Sequence, residues 1–196
     1  CLTGQHREML KQVMDCFGIM EDYNLDIMQK NQTLTGITAR ILEKLEPVLK
    51  EERPDMVLVH GDTSTSFASA LAAFYQKIPV GHVEAGLRTE VRYSPFPEEI
   101  NRRLTGCLAS WHFAPTAWNR QNLWRENIRE HVYVTGNTVI DAFKTTVKPD
   151  YLFQNEDIRK IDFAHGPVIL VTAHRRENLG EPLENICRSL KRLSAE

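Results

Sequence analysis

Two short apolar segments, residues 56–59 and 78–83, constrain the fold more than any other feature of this sequence. Short apolar segments bounded by Pro and Gly are typical of strands buried inside a parallel sheet. Residues 111–114 and 131–135 predict two further strands, and helical segments lie between them. Strand and helix therefore alternate, which predicts an α/β fold with a parallel sheet and helices on both of its faces.

The helices are recognised by apolar residues at intervals of three and four, or by an Ala-rich composition. They are predicted over 5–17, 32–50, 65–76, 97–108, 116–128 and 184–196, with another after residue 138. A short strand is predicted over 25–28.

The periodic pattern is lost from Thr146 to Gly166, and residues 168–172 predict a strand beyond that gap. We therefore predict an N-terminal domain over 1–145, a linker over 146–166 and the start of a second α/β domain over 167–196. The first four residues resemble the end of a strand, and the last helix has no cap. The sequence is accordingly expected to be part of a longer one.

Composition excludes several classes of protein. With 42% hydrophobic and 26% charged residues the chain is neither disordered nor fibrous. A net charge of −2 gives no general reason to expect nucleic-acid binding, and no apolar segment approaches the length of a membrane span. The cysteines lack the spacing of zinc or disulfide sites, so we expect no metal, a reducing cytoplasm and four small buried residues at Cys1, Cys16, Cys107 and Cys187.

Carboxylates stand where strands end and helices begin. Asp62 follows the segment 56–59, Glu84 ends the segment 78–83, and Glu98 and Glu99 open a helix behind Pro97. Ligands of open parallel sheets bind beyond the carboxyl ends of the strands, and a carboxylate that ends an apolar strand is costly to bury unless it is hydrogen-bonded or functional. Two structural alternatives remain: Asp62 as a helix cap, and Glu98 and Glu99 as complements of a helix dipole.

Other polar residues are predicted at the same sheet edge. They are Gln5, His6, Asn137, Thr138, His174 and Arg175. His174 and Arg175 are candidates for binding a diphosphate, because a guanidinium can form bidentate hydrogen bonds with phosphate oxygens. His60 and His82 are interpreted as hydrogen-bonded histidines at strand ends. Neither a P-loop nor a GxGxxG turn is present.

Six segments together resemble the non-hydrolysing UDP-N-acetylglucosamine 2-epimerases. They are TGQHREML, LVHGDTSTSFASALAAFY, VGHVEAGLRT, YSPFPEEINRR, TGNTVIDA and VTAHRRENLG, and they extend over nearly the whole chain. The resemblance implies two Rossmann-like domains in a GT-B-like plan, with the second domain truncated here. It also implies reversible inversion at C2 of UDP-N-acetylglucosamine by loss and return of UDP through 2-acetamidoglucal, without a cofactor.

The resemblance assigns residues as well. Asp62, Glu84, Glu98 and His174 match catalytic positions, while His174, Arg175 and Asn137 match the substrate site. A second, activating site of the bacterial enzymes would match Gln5, Glu8, Asn31, Glu98 and Arg175. Glu8 and Asn31 depart from the Gln and the basic residue expected there.

The resemblance further implies a UDP-sugar as ligand and a homodimer, and it predicts that this chain is inactive alone. The alternatives are a hydrolysing epimerase, a GT-B glycosyltransferase and a nucleotide-sugar sensor without activity.

Overall fold

The computed structural model describes residues 1–4, 7–29, 32–166, 168–173 and 178–194, and it leaves the side chains of residues 7–9 undescribed. It divides into two compact units, Cys1–Lys148 and Pro149–Glu196. Among the helices of the described residues, none combines the length and apolar character needed to cross a lipid bilayer.

The first unit contains four strands and six helices within its described residues. In chain order they are α1 (Arg7–Phe17), α2 (Leu34–Glu52), β1 (Val57–His60), α3 (Ser64–Tyr75), β2 (Val80–Val83), α4 (Glu98–Leu108), β3 (Trp111–Ala114), α5 (Ala117–Arg125), β4 (Val132–Val134) and α6 (Thr138–Thr146). The helix ends follow local sequence: Thr33, Thr63 and Thr116 cap helices with their side-chain oxygens.

The strands form one parallel sheet in the order β1-β2-β3-β4. This arrangement confirms the predicted α/β class. Helix α3 packs on β1 and β2, α4 packs on β2, and α5 packs on β3 and β4. On the other face, Leu58 is 63% exposed and Tyr133 is 45% exposed, so this face is largely open in the described part of the chain.

The main core lies between α2, α3 and the first two strands. Ile41, Leu45, Val59 and Val80 pack there against a row of small residues on α3. Ala68, Ala70 and Ala73 are fully or almost fully buried, and their small side chains let α2 approach the helix closely. An amphipathic α2 and an Ala-rich α3 therefore produce this layer directly from their sequences.

Two predicted strands are wrong. Residues 25–28 form no strand: beside the isolated parallel bridge between Leu2 and Asn24, only the Leu25 and Ile27 N–H groups donate hydrogen bonds, at 2.8 and 3.0 Å, to the Leu2 and Thr3 carbonyls. Residues 168–173 are irregular, and Ile169 and Leu170 are 72% and 96% exposed. A parallel strand needs a partner strand beside it, and the described residues of the second unit supply none.

The second unit, Pro149–Glu196, contains the short helix α7 (Glu156–Arg159) and α8 (Glu181–Leu193) within its described residues. The prediction of four buried cysteines is also wrong, since all four thiols are exposed. The preference of Cys for protein interiors is an average, and the helical faces of Cys16, Cys107 and Cys187 are decided by the larger residues around them.

Candidate functional site

Asp62 lies in the turn between β1 and α3 and does not cap the helix. Thr63 is the cap, because its Oγ1 accepts a hydrogen bond from the Ser66 N–H at 3.3 Å. The Asp62 carboxylate instead forms an ion pair with Arg102, at 2.5 Å between Oδ2 and Nη2. The Asp62 carbonyl accepts a second hydrogen bond from Asn101 Nδ2 at 3.0 Å. The structure thus excludes the helix-cap alternative for Asp62.

Glu84 lies at the end of β2 in a strained backbone conformation. Its φ of 66° is unusual for a residue with a side chain, and such conformations persist only where the surroundings hold them. The Glu84 Oε1 accepts a hydrogen bond from Asn137 Nδ2 at 3.3 Å. Its Oε2 lies against Gly61, 3.3 Å from the position that a Cβ on Gly61 would take. Because Gly61 directly precedes Asp62, Glu84 and Asp62 lie at the same edge of the sheet.

Glu98 is the first residue of α4 and is partly buried. Asn101 and Arg102, three and four residues further on, contact Asp62. Residues at these spacings share one side of a helix, so Glu98 begins the helical face that Asp62 binds. Within the part of the chain described here, its carboxylate has no hydrogen-bond or ion-pair partner. Glu98 is therefore available for a ligand at the edge where Asp62 and Glu84 lie.

Glu99, unlike Glu98, is occupied by hydrogen bonds within the protein. It is fully buried and accepts hydrogen bonds from the Thr89 N–H at 3.1 Å and from Arg103 Nε at 3.0 Å. Burial raises the pKa of Glu99, but the hydrogen bonds from Thr89 and Arg103 outweigh that effect and the pKa lies below its usual value. Glu99 thus ties α4 to the segment that follows β2.

The histidines near the site stabilise the strand ends. His82 is buried, and its Nε2–H donates a hydrogen bond to the Gly61 carbonyl at 2.8 Å. Burial lowers the pKa of His82 from 6.5 to about 4, so the ring is neutral at pH 7. His60 is exposed, with Nε2 3.3 Å from Thr138 Oγ1. Both contacts support the interpretation of these residues as hydrogen-bonded histidines.

Several predicted site residues cannot be located. Gln5, Asn31, His174 and Arg175 lie outside the described residues, and Glu8 belongs to α1 but its side chain is not described. Asn137 is described, and its amide group contacts Glu84 rather than open solvent.

Sequence reasoning missed Asn101 and Arg102. Their spacing from Glu98 in the segment EEINR could have identified them, since all three share a helical face.

Comparisons with known proteins show what the chain as a whole is similar to. The sequence model of the family described as UDP-N-acetylglucosamine 2-epimerase matches residues 1–196. The UDP-N-acetylglucosamine 2-epimerase of Bacillus subtilis is 52% identical over 196 residues, which is 100% of this chain and 50% of that protein. A crystal structure of the Neisseria meningitidis UDP-GlcNAc 2-epimerase bound to UDP-GlcNAc matches with a TM-score of 0.89 and 52% identity, covering 100% of this chain and 54% of that one.

A more distant structure shows the same likeness. The Methanocaldococcus jannaschii UDP-GlcNAc 2-epimerase in complex with UDP-GlcNAc and UDP matches with a TM-score of 0.71 and 41% identity, over 80% of this chain and 43% of that one. The chain spans about half the length of the curated relatives that it matches.

Proposed function

This chain belongs to the UDP-N-acetylglucosamine 2-epimerase family, and from that membership we propose that its complete protein interconverts UDP-N-acetylglucosamine and UDP-N-acetylmannosamine without hydrolysing them. The observation that supports this best is that Glu84 lies against Gly61 while the next residue, Asp62, is bound by Asn101 and Arg102 of the helix that Glu98 begins. The names of the relatives, and the UDP-GlcNAc bound in two related structures, support the choice of substrate.

The proposed chemistry explains why several carboxylates are needed. The C2 proton of the sugar is barely acidic, so UDP leaves C1 first and positive charge develops on the ring. Carboxylates in a partly closed site stabilise that charge. One group then removes the C2 proton to give 2-acetamidoglucal, and another returns a proton to the opposite face before UDP adds back.

The three carboxylates have the different surroundings that such a division of labour requires. Asp62 is paired with a guanidinium, Glu84 accepts a hydrogen bond from a neutral amide, and Glu98 has no partner among the described residues. Groups with unlike environments can serve unlike steps of one reaction. We propose Asp62, Glu84, Glu98 and His174 as the catalytic set, with His174, Arg175 and Asn137 at the substrate.

The remaining assignments extend the same proposal. Substrate would also bind an activating site that includes Gln5, Glu8, Asn31, Glu98 and Arg175, and the complete protein would act as a homodimer in the cytoplasm. Glu8 puts a negative group where a neutral Gln is expected, and Asn31 removes an expected positive charge. Both changes weaken the binding of a diphosphate, so we expect weak activation.

A chimera tests the proposed function. This chain would replace the matching half of the Bacillus subtilis relative, and the chimera would be incubated with UDP-N-acetylglucosamine in D2O. We expect NMR to show deuterium at C2 and a mixture of the two UDP-sugars. We expect this chain alone to give no conversion. Free N-acetylmannosamine would instead indicate the hydrolysing reaction, and sugar transfer only in the presence of an acceptor would indicate a glycosyltransferase.

Single substitutions test whether the three carboxylates carry the reaction. In the chimera, Asp62→Asn, Glu84→Gln and Glu98→Gln should each lower the exchange rate by about 10²- to 10⁴-fold, the usual contribution of an acid–base or electrostatic group. Glu90→Gln is the matched control, because Glu90 is 68% exposed and pairs with Arg103 away from Asp62. Circular dichroism would verify the folding of each variant. Full-rate exchange in the three site variants would contradict the proposal.

A further inference from the structure

Asp62 is held at two points by consecutive residues of α4. Asn101 Nδ2 donates to its backbone carbonyl at 3.0 Å, and Arg102 Nη2 donates to its carboxylate at 2.5 Å. Asn101 is 7% exposed and Arg102 is 8% exposed, so water competes little for these bonds. The carboxylate cannot turn away from α4 without breaking its hydrogen bond to Arg102, and the Asp62 backbone cannot shift without breaking the one to Asn101.

The same helix presents Glu98. Because Glu98 precedes Arg102 by one helical turn, a single rigid element determines where both carboxylates lie. Asn101 and Arg102 connect this helix to Asp62, and Arg102 is the one that binds its carboxylate.

The Arg102 guanidinium also contacts a second carboxylate, that of Glu99. Its Nη1 lies 3.5 Å from Oε2 of Glu99, a fully buried carboxylate that Thr89 and Arg103 hold in place. A planar guanidinium can address two carboxylates in fixed directions at once, which a lysine ammonium cannot do. The Arg102 Nε is buried without a hydrogen-bond partner among the described residues. The orientation that reaches Asp62 therefore leaves one donor unused, an arrangement that folding stability alone does not favour.

We propose that Arg102 is a positioning residue for the epimerisation: it holds the Asp62 carboxylate at the spacing from Glu98 and Glu84 that the reaction requires. This proposal rests on the proposed function of the same site. Arg102 acts through Asp62 and not on the sugar, so its effect on the rate should depend on Asp62.

A double-mutant cycle in the chimera tests this dependence. Arg102→Lys should lower kcat for C2 exchange by about 10²-fold, the cost of a misplacement of the order of 1 Å, while KM changes by less than about threefold. In an Asp62→Asn background the same substitution should change the residual kcat by less than about twofold, because the group it positions is gone. An equal loss in both backgrounds would overturn the proposal.

Arg88 provides the matched control. Its side chain is 1% exposed and its guanidinium pairs with Glu126 at 2.5 Å, not with Asp62. Arg88→Lys should lower stability as a buried pair is weakened, yet retain kcat per folded molecule within about threefold. A loss of kcat equal to that of Arg102→Lys would show that any buried arginine nearby has this effect, which overturns the proposal.

Urea unfolding of the same cycle supplies a measurement without substrate. Asp62 and Arg102 should be coupled, so that the two substitutions together change the unfolding equilibrium constant about fivefold less than their separate effects predict. Absence of coupling would overturn the positioning role whatever the activity. Absence of epimerisation in the unsubstituted chimera would count against the proposed function alone.

Discussion

Glu84 and Asp62 differ in what holds each carboxylate. A charged guanidinium orients Asp62, whereas a side-chain amide orients Glu84. The Asn137 amide is itself fixed, because its Oδ1 caps α6 by accepting the Val139 N–H at 3.0 Å. Its NH2 group consequently points at Glu84. Asn137 thus joins a helix cap to a candidate catalytic group.

Asn137→Asp separates these two roles. An aspartate still caps the helix, but it replaces the donor to Glu84 with a second negative group. We expect kcat for C2 exchange in the chimera to fall about tenfold or more, as for a lost hydrogen bond to a charged group, with a loss of stability of only about 1 kcal/mol because the helix cap remains. Deuterium exchange and urea unfolding measure the two effects.

The control for this substitution is Asn155→Asp. Asn155 caps α7 through Oδ1, 2.8 Å from the Asp157 nitrogen, and belongs to the second unit of the chain. Exchange should stay within about twofold of the parent, as is usual for a surface change. If both variants lose activity equally, the contact between Asn137 and Glu84 is not the cause.

At the scale of elements, the segment after β2 is packed tightly onto α5. The Gly86 carbonyl accepts a hydrogen bond from the buried Asn122 at 3.0 Å. Gly86 has a φ of +87°, and a Cβ there would overlap the backbone of Asn119. This contact determines the path of the chain from Glu84 to α4, and therefore where Glu98 begins its helix.

Gly86→Ala should destabilise the protein by about 3 kcal/mol, because backbone strain adds to a collision with a helix backbone. Gly18→Ala is the matched control, since Gly18 has a φ of +62° but nothing within 4 Å of a Cβ. The control should lose only about 1 kcal/mol from the left-handed backbone. Urea unfolding distinguishes the two, and equal losses would mean that the segment moves away from α5 at little cost.

At the scale of the whole molecule, stability is concentrated in one unit. Every buried hydrophobic side chain found among the described residues belongs to Cys1–Lys148. That interior also contains a pair of histidines, His82 and His112, which face each other across β2 and β3. Burial lowers the pKa of His82 to about 4, and burial with the neighbouring His82 lowers the pKa of His112 to about 4.

This histidine pair predicts how stability changes with pH. The unfolded chain takes up protons near pH 6.5, whereas the folded chain does not until about pH 4. The unfolded state therefore binds more protons over that range, and stability falls as the pH is lowered from 6.5 to 4. Each histidine lowers the free energy of unfolding by up to about 3 kcal/mol as the pH falls from 6.5 to 4.

Urea unfolding at several pH values measures the effect. His112→Leu should reduce the slope between pH 6.5 and 4 by about half, since one of two such groups is removed. An unchanged slope in His112→Leu would show that other groups control acid stability.

The sequence by itself determined the order of strands and helices in the first unit and the class of the fold. It did so because hydrophobic period and helix caps are local signals, and because a parallel sheet brings Asp62 and Glu84 to one edge wherever the strands pair. The same reasoning failed for residues 168–172, since an apolar segment becomes a strand only when a partner strand lies beside it. It also failed for residues 25–28, whose pairing with Leu2 and Thr3 is limited to two backbone hydrogen bonds.

Only the tertiary structure decided what holds the carboxylates. Arg102 and Asn101 reach Asp62 across 40 and 39 positions, and Asn137 reaches Glu84 across 53. No local pattern specifies such pairs, because they depend on how α4 and α6 are placed against the sheet. Local chemistry therefore shows which residues can react, and packing decides which of them are held in position.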